Sequence, residues 1–426
     1  MIILREDQLK TVAKSVAILK RYNLLYLAAQ VRCGKTIMSM TIAKELGFKR
    51  ILFLTVKKAI SSIKSDYLKL GHTFNKITIT NYQQVGNLIQ EYDLIICDEA
   101  TFLSAFPKPG VYCQKVKELA GKTPVILMSG SPTPESPSQI FHQFSVCYYS
   151  PFSIYRNFYA WAKDYVKHYD VRDGSGKVIK RQVKQKYLHR LQLNDYSEGL
   201  EEKIKEVTKH YMVTLSQEEA GFTSHVEEEI LWVDIDKRLY QLMDVLKKDR
   251  IYKLKNGGHI VCDTPAKMQS AFHQISSGTI ISDEEKRQTL DESKAWFIKS
   301  KFAGKKIAIF YNFIEEGNIL RKVFPLSTDN PEIFNENANI TFVCQFVSGR
   351  MGVNLSTADA LVAYNIAFSA TTYFQFRARM QSQTRTIASK LYWIFSKNGI
   401  EKYVYKAVSK KLDYTLNYFR KDFGLR

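Results

Sequence analysis

The chain has 426 residues, of which 45% are apolar, and it carries a formal net charge of +20. This length exceeds one ordinary hydrophobic core and predicts two or three globular domains. No apolar run approaches the ~20 residues that cross a bilayer, and the first residues lack the basic-then-apolar layout of a signal peptide. We therefore expect a soluble, cytoplasmic protein.

The net charge and the placement of the cysteines further restrict the class of protein to which the chain can belong. The excess of Lys and Arg favours a polyanionic partner, because phosphate contacts release counterions; the alternative is a basic protein without such a partner. The six cysteines are scattered and form no Cys-x-x-Cys pair. A zinc site or a disulfide framework is therefore not expected.

Residues 1–147 alternate short apolar runs with helical stretches, a rhythm typical of a parallel sheet with crossover helices. The predicted strands of this region are Leu24–Ala29, Ile51–Val56, Ile77–Thr80, Asp93–Cys97 and Val125–Ser129. The region predicts one α/β lobe.

The strongest local motif follows the first predicted strand, where Ala29 to Thr36 reads Ala-Gln-Val-Arg-Cys-Gly-Lys-Thr. A strand, a tight loop through Arg32, Cys33 and Gly34, and a helix form a cradle whose N–H groups point at phosphates. Lys35 would reach the β and γ phosphates, and the Thr36 hydroxyl would hold Mg²⁺. Ala29 replaces the first glycine of the usual pattern, so a chance Gly-Lys-Thr at a helix start is the alternative.

Two carboxylates end a buried strand at Asp93-Leu-Ile-Ile-Cys-Asp98-Glu99. Buried acids are costly unless a cation or a proton compensates them. Asp98 would bind Mg²⁺ and Glu99 would polarise an attacking water. An acidic loop after a strand is the alternative, which the combination with Lys35 disfavours.

Residues 148–225 break the alternating rhythm and are rich in aromatic and basic residues. The turn Asp173-Gly-Ser-Gly176 between strand-compatible flanks predicts a β-hairpin. The near-helical spacing of Tyr155, Phe158, Tyr159 and Trp161 favours core packing over base stacking. The cations of the hairpin are the better candidates for nucleic-acid contacts: Arg172, Lys177, Lys180, Arg181 and Lys184. The alternative is a charged hairpin that contacts only solvent.

Residues 226–426 predict a mostly helical lead-in over 226–295, a second α/β lobe and a basic helical tail. The predicted strands are Lys306–Tyr311, Ile340–Phe346 and Ala360–Asn365, and the predicted helices are Ile314–Val323 and Thr371–Ser382. No second Gly-x-x-x-x-Gly-Lys occurs. One ATP per chain is therefore expected.

Together these motifs resemble superfamily 2 helicases of the DEAD/DEAH type, close to the Swi/Snf-type translocases and their compact phage-encoded relatives, over nearly the whole chain. Arg5 and Gln8 stand in a Q-like motif that would read adenine. Lys57 and Lys58 match motif Ia, and Asn81 and Tyr82 match motif Ib; both would touch nucleic acid. Residues 98–101 match motif II and residues 129–134 match motif III.

The resemblance extends to the second lobe. Residues 309–311 match motif IV, and residues 348–355 match motif V, with Arg350 toward nucleic acid and Gly352 toward the nucleotide. Gln375–Arg379 matches the start of motif VI, so Arg379 would be an arginine that enters the ATP site. The second arginine of the family pattern falls on Ser382. Arg377, Arg385 or a shifted register are alternatives.

The resemblance implies two RecA-like parallel-sheet lobes with an inserted basic helical and β-hairpin element, divided as 1–147, 148–225 and 226–426. It implies an ATP- and Mg²⁺-dependent DNA helicase or translocase acting on forked, branched or duplex DNA. It also implies a monomer in the cytoplasm, or the host cytoplasm if phage-encoded, with replication or recombination proteins as candidate partners. An RNA helicase, a nucleic-acid-binding module with weak ATPase activity and an unrelated P-loop kinase are the alternatives.

Overall fold

The computed structural model divides the chain into two compact units, Met1–Gly221 and Phe222–Arg426. It describes residues 3–71, 74–88, 91–188, 191–222, 226–254, 258–346, 355, 357–377, 389–410 and 413–424. None of the helices in these ranges has the length and apolar composition that a membrane span requires.

The first unit mixes strands and helices in alternation. Its strands are β1 (Leu24–Ala29), β2 (Arg50–Thr55), β3 (Lys76–Asn81), β4 (Leu94–Cys97), β5 (Val125–Met128), β6 (His168–Arg172), β7 (Val178–Leu188), β8 (Leu191–Asp195) and β9 (Met212–Leu215). Its helices are α1 (Glu6–Tyr22), α2 (Lys35–Glu45), α3 (Ile60–Leu70), α4 (Val111–Ala120), α5 (Ile140–Phe144), α6 (Phe158–Tyr165) and α7 (Glu201–Thr208). The five strands predicted in residues 1–147 are confirmed, with ends that differ by at most one residue.

In the described part of the first unit, one fully parallel sheet has the strand order β3-β2-β4-β5-β1-β9. Strands β4 and β5 are buried along their whole length and β1 nearly so, because helices cover both faces of a parallel sheet. In such sheets, ligands bind at the carboxyl ends of the strands, where the strand order reverses. The segments that follow β1, β2, β3, β4 and β5 contain the Gly-Lys-Thr sequence and the predicted motifs Ia, Ib, II and III, in this order.

The basic segment 148–225 forms α6 and a separate three-stranded antiparallel sheet of β6, β7 and β8. The predicted hairpin is confirmed: Asp173 accepts hydrogen bonds from the backbone of Ser175 and Lys177, and Gly176 takes a left-handed φ of 83°. Phe158 and Trp161 are buried and Tyr155 packs against the same core, which confirms core packing for three of the four aromatic residues, whereas Tyr159 is 44% exposed. The same segment contributes β9 to the edge of the large sheet.

The second unit repeats the architecture. Its strands are β10 (Val226–Val233), β11 (Ile251–Lys253), β12 (His259–Val261), β13 (Thr279–Ile281), β14 (Arg287–Thr289), β15 (Ile307–Tyr311), β16 (Ser327–Thr328), β17 (Thr341–Gln345), β18 (Ala360–Ala363) and β19 (Ser389–Ser396). Its helices are α8 (Lys237–Asp249), α9 (Pro265–Ile275), α10 (Ser293–Lys301), α11 (Ile314–Val323), α12 (Pro331–Glu336), α13 (Ala370–Arg377), α14 (Glu401–Val408) and α15 (Leu416–Phe423). Residues 226–295, predicted to be mostly helical, also contain β10 and two small antiparallel ladders.

The large sheet of the second unit is also fully parallel over its described strands, in the order β10-β19-β18-β15-β17-β16. Beside it, Lys294 and Glu401 form an ion pair at 2.5 Å with both side chains at most 1% exposed. A pair so deeply buried keeps its charges only because each compensates the other. Two parallel α/β sheets and the inserted basic element confirm the predicted fold class, with two RecA-like lobes.

Candidate nucleotide-binding site

The candidate site begins at the loop Gln30–Gly34, which joins β1 to α2 and is called the β1–α2 loop below. Arg32 and Gly34 take left-handed φ values of 66° and 90°, which bends the chain sharply before α2 starts at Lys35. The Lys35 ammonium donates to the Ala29 carbonyl at 2.9 Å and lies 3.5 Å from the Gln30 carbonyl. A helix N-terminus with a lysine at its first turn is a site for phosphate oxygens.

Gln8 fixes the shape of this loop from the neighbouring helix α1. Its amide nitrogen donates to the Cys33 carbonyl at 3.0 Å, while its amide oxygen accepts from the Arg5 backbone at 3.0 Å. A Cβ on Gly34 would lie 2.2 Å from the Gln8 amide nitrogen, so position 34 requires glycine for its space as well as its φ. Arg5 lies 3.4 Å from the same Cys33 carbonyl and pairs with Asp7. Both residues of the Q-like motif therefore contact the loop.

Asp98 is positioned at the end of β4. Its backbone nitrogen donates to the Leu54 carbonyl at 2.8 Å, and its carboxylate accepts from the Thr55 hydroxyl at 2.9 Å. Burial raises the pKa of Asp98, and the nearby charge of Lys35 and the Thr55 hydrogen bond counteract that rise. The carboxylate and the ammonium predicted from separate motifs thus act on each other at one edge of the sheet.

Glu99 follows in a left-handed conformation, with φ 50° and ψ 56°. It begins the tight turn Ala100–Leu103, whose Phe102 backbone donates to the Glu99 carbonyl at 3.0 Å. A non-glycine residue in this region costs on the order of 1–3 kcal/mol and is often found at functional sites. Thr36 is the second residue of α2, and its carbonyl accepts from Ser39 at 2.9 Å.

Residues 129–134, the predicted motif III, pack against the β1–α2 loop. A Cβ on Gly130 would lie 3.6 Å from the Val31 backbone nitrogen, an ordinary van der Waals contact. Gln143 holds the other end, since its amide nitrogen donates to the Pro132 carbonyl at 2.7 Å. Its amide oxygen accepts from the buried hydroxyl of Tyr26 at 2.6 Å. Sequence reasoning missed Tyr26 and Gln143, because neither lies in a motif.

A second contact missed from the sequence comes from the segment after β9. The Gln30 backbone donates to the Leu215 carbonyl at 2.9 Å, and the Gln217 backbone donates to the Gln30 side chain at 2.8 Å. The Gln217 amide nitrogen donates to the Val31 carbonyl at 3.0 Å. Residues 215–217 therefore support the β1–α2 loop, and the short segment Met212–Leu215, apolar at three of its four residues, was their one signal in the sequence.

The predicted nucleic-acid residues of motifs Ia and Ib lie beside the same sheet edge. Lys57 is exposed in a short turn after β2, and the Lys58 backbone is part of that turn; the Lys58 side chain lies outside the description. Asn81 caps the turn after β3. Tyr82 is 3% exposed, its hydroxyl donates to the Asp98 carbonyl at 2.6 Å, and its ring stacks on Phe102. As placed, Tyr82 links motif Ib to motif II through the core.

The cations of the predicted hairpin differ in their partners. Arg181 pairs with Asp170 at 2.9 Å, and Arg172 lies 3.7 Å from the same carboxylate. Lys177 and Lys180 are exposed, and no carboxylate of the described residues lies within ion-pair distance of either. These two lysines are therefore the free charges of the hairpin.

Three predicted site residues of the second unit, Arg350, Gly352 and Arg379, lie outside the described residues, as do the alternatives Ser382 and Arg385. The described part of the predicted motif VI is α13. There Arg377 pairs with Glu228 of β10 at 2.7 Å, and the same carboxylate accepts from Tyr373 at 2.8 Å and from Trp393 at 3.0 Å. Arg377 is therefore already engaged by a half-buried carboxylate.

Comparisons with known proteins give a structural similarity only. No protein-family model matches the sequence, and no curated protein is significantly similar to it. Among solved structures, the chain is similar to the SWI2/SNF2 ATPase core of Sulfolobus solfataricus in complex with double-stranded DNA, with a TM-score of 0.42 and 14% identity over 99% of this chain and 92% of that chain.

Proposed function

We propose that this protein is an ATP-driven nucleic-acid motor, a DNA helicase or translocase that works on forked or branched DNA. The observation that carries the proposal is the meeting of Lys35 and Asp98 at the carboxyl edge of one parallel sheet, next to a helix N-terminus and a left-handed Gly34. This is the arrangement that cradles a nucleoside triphosphate.

The donor set suits Mg²⁺ bound together with ATP. The Thr36 hydroxyl and the Asp98 carboxylate are hard oxygen donors, and burial makes an uncompensated Asp98 carboxylate costly. Among the described residues, no cluster of three or more His, Cys, Asp or Glu could hold a metal ion. This fits a cation that takes few protein ligands and completes its shell with phosphates and water. When bound, Mg²⁺ would neutralise charge on the phosphates.

The chain's own residues supply the remaining steps. Lys35 would exchange its two carbonyl partners for phosphate oxygens. Glu99, set apart by its left-handed backbone, would accept a hydrogen bond from the attacking water. From the sequence, Arg379 is our candidate for the arginine that stabilises the charge of the transition state, an effect worth about 10³–10⁵ in rate in related chemistry.

DNA is the proposed polyanion for electrostatic and architectural reasons. A net charge of +20 favours phosphate backbones, and Lys177 and Lys180 offer unpaired charges on an exposed hairpin. A second RecA-like unit gives the motor a body whose movement hydrolysis can drive. Lys57 and Asn81, at the ends of β2 and β3, are further candidates for backbone contacts.

Lys35→Ala tests the nucleotide site. Loss of the ammonium should lower kcat for ATP hydrolysis by about 10²–10³-fold, the effect of removing one charge-stabilising donor. Phosphate release is measured with and without DNA. Lys44→Ala, an exposed lysine in the last turn of the same helix, is the matched control and should hydrolyse ATP at the wild-type rate. Wild-type hydrolysis by the Lys35→Ala protein would refute the assignment.

A further inference from the structure

A pocket of about 570 Å³ lies in the first unit, and no residue of the nucleotide site lines it. Its walls are α4, α5, the loop Pro107–Pro109 and the segment 147–159 that leads into the basic insertion. A volume of this size is in the range that encloses small organic molecules. The proposed mechanism of ATP hydrolysis gives this pocket no role.

The floor of the pocket is aromatic and uncharged. Phe141, Phe152 and Phe158 line it and are at most 3% exposed. His142 lies among them, bonded through Nε2 to the Pro107 carbonyl at 3.0 Å and stacked on Phe158. Burial lowers the pKa of His142, so its ring is neutral at pH 7. The floor therefore accepts a flat, apolar group.

The rim has the opposite character. No Asp or Glu lines the pocket. Four exposed cations surround its opening: Lys108, Lys117, Lys122 and Arg156. None of the four forms an ion pair with a described residue. Two tyrosine rings stand at the same rim, Tyr148 with 66% and Tyr159 with 44% of its surface exposed. Lys122 already lies over the Tyr148 ring, 5.5 Å from its centroid.

We infer that this pocket receives an unstacked nucleotide of a single-stranded nucleic acid, with the base against the tyrosines and the aromatic floor and the phosphates against the cationic rim. Positive charge that follows phosphates, combined with aromatic faces that stack on bases, is how proteins hold single strands. The inference rests on the proposed function, because it assigns a further contact to the same polyanion.

The rim is also in contact with the basic hairpin sheet. Tyr159 packs against Tyr196 with ring centroids 5.7 Å apart, and the Tyr196 hydroxyl accepts from Asn194 of β8 at 3.1 Å. Strand β8 pairs with β7, which carries Lys180. The pocket and the hairpin thus belong to one basic surface. A surface that extends beyond a single pocket favours a polynucleotide over a short acidic peptide.

The test compares two fluorescein-labelled 12-mers by anisotropy, oligodeoxythymidylate and a fully abasic strand with the same backbone. The wild-type protein should bind the strand with bases about 5- to 150-fold more tightly, since stacking contributes about 1–3 kcal/mol per base. The variant Y148L/Y159L, which keeps apolar bulk, should lose this preference. The variant K117E/R156E should weaken binding of both strands and reduce the slope of log K against log salt by about 1.4.

The matched control for charge is K44E/K76E, which changes the net charge equally at exposed sites outside the pocket. Equal losses in K117E/R156E and K44E/K76E would overturn the inference, as would equal affinity of the wild-type protein for the strands with and without bases. Displacement of the oligonucleotide by a Glu-Tyr copolymer, lost in Y148L/Y159L, would instead assign the pocket to an acidic protein segment. If K117E/R156E does not fold, R156Q must still lower oligonucleotide affinity.

Wild-type ATP hydrolysis in the same preparations tests the proposed function separately. If the oligonucleotide binds through the pocket but the protein does not hydrolyse ATP, the proposed motor function is refuted and the proposed role of the pocket is supported. If DNA stimulates ATP hydrolysis but strands with and without bases bind equally well, the motor function is supported and the proposed role of the pocket is refuted.

Discussion

For the Asp98 carboxyl group, burial favours the protonated form, whereas the proposed function requires the charged form. Its surroundings raise the pKa of the carboxyl group, yet a carboxylate is needed to hold a cation. Three neighbours counteract the rise: the charge of Lys35, the hydrogen bond from Thr55, which is fully buried, and the backbone hydrogen bond of Glu99. At the scale of single residues, the protonation of Asp98 thus depends on side chains from two other segments of the chain.

Thr55→Val removes that hydrogen bond while keeping the shape of the side chain. Because the bond lowers the pKa of Asp98, its loss should raise this pKa further, and more Asp98 will be protonated at mildly acidic pH. The acid limb of the pH profile of kcat/KM for ATP should therefore move to higher pH. Thr208→Val, whose hydroxyl bonds only to the Ile204 carbonyl, is the control. An unshifted acid limb would contradict this role of Thr55.

Gly34→Ala tests the contact between α1 and the β1–α2 loop. The variant combines a left-handed φ of 90° with a Cβ 2.2 Å from the Gln8 amide, so either the Gln8 side chain or the loop must shift and their hydrogen bond is disturbed. We expect a loss of about 1–3 kcal/mol in stability and a rise of tenfold or more in the KM for ATP. Gly47→Ala, with φ 73° and open space around its Cβ, controls for backbone strain alone. Equal KM values for the two variants would argue against the Gln8 contact.

At the scale of elements, the β1–α2 loop is supported from two sides: by α1 through Gln8, and by the segment after β9 through Gln217. Such support matters because a phosphate loop binds through backbone N–H groups, whose directions only the surrounding structure can fix. The strand β9 therefore helps to shape the proposed nucleotide site, although it lies 177 positions or more after Lys35.

Gln217→Ala removes the hydrogen bond to the Val31 carbonyl and leaves the backbone contacts of this segment in place. One such bond is worth about 0.5–1.5 kcal/mol, so the KM for ATP should rise about 2- to 12-fold. Glu218→Ala, an exposed neighbour, should leave the KM unchanged. Steady-state kinetics compares the two. Identical KM values would mean that the loop does not need this support.

The strands that carry motifs could be predicted because continuous apolar runs between breakers are typical of buried parallel strands. Three of the four edge strands of the two large sheets, β9, β10 and β16, could not be predicted in this way. Strand β10 contains Glu227, Glu228 and Glu229, and an edge strand tolerates such charges because one side of it is open. The ion pair of Arg377 could not be predicted either, since its partner Glu228 lies about 150 positions earlier in the chain. Long-range polar contacts leave no periodic pattern in a sequence.

At the scale of the whole molecule, the chain combines two RecA-like units with a strongly basic net charge. The first unit carries the proposed nucleotide site, the basic hairpin and the aromatic pocket, so the features proposed for ATP and for nucleic acid lie in one unit. The second unit has the same parallel architecture with a buried Lys294–Glu401 ion pair beside its sheet. The charge of +20 makes a nucleic acid the most natural macromolecular partner.

The central claim, a motor that nucleic acid activates, is tested most directly by the rate of ATP hydrolysis of the full chain with no nucleic acid and with single-stranded, duplex, forked and four-way DNA, each beside an RNA control. We predict that DNA raises the rate, with forked or four-way DNA as the strongest activator, and that raising the salt concentration reduces the effect. A rate that no nucleic acid changes, or that RNA alone increases, would contradict the account.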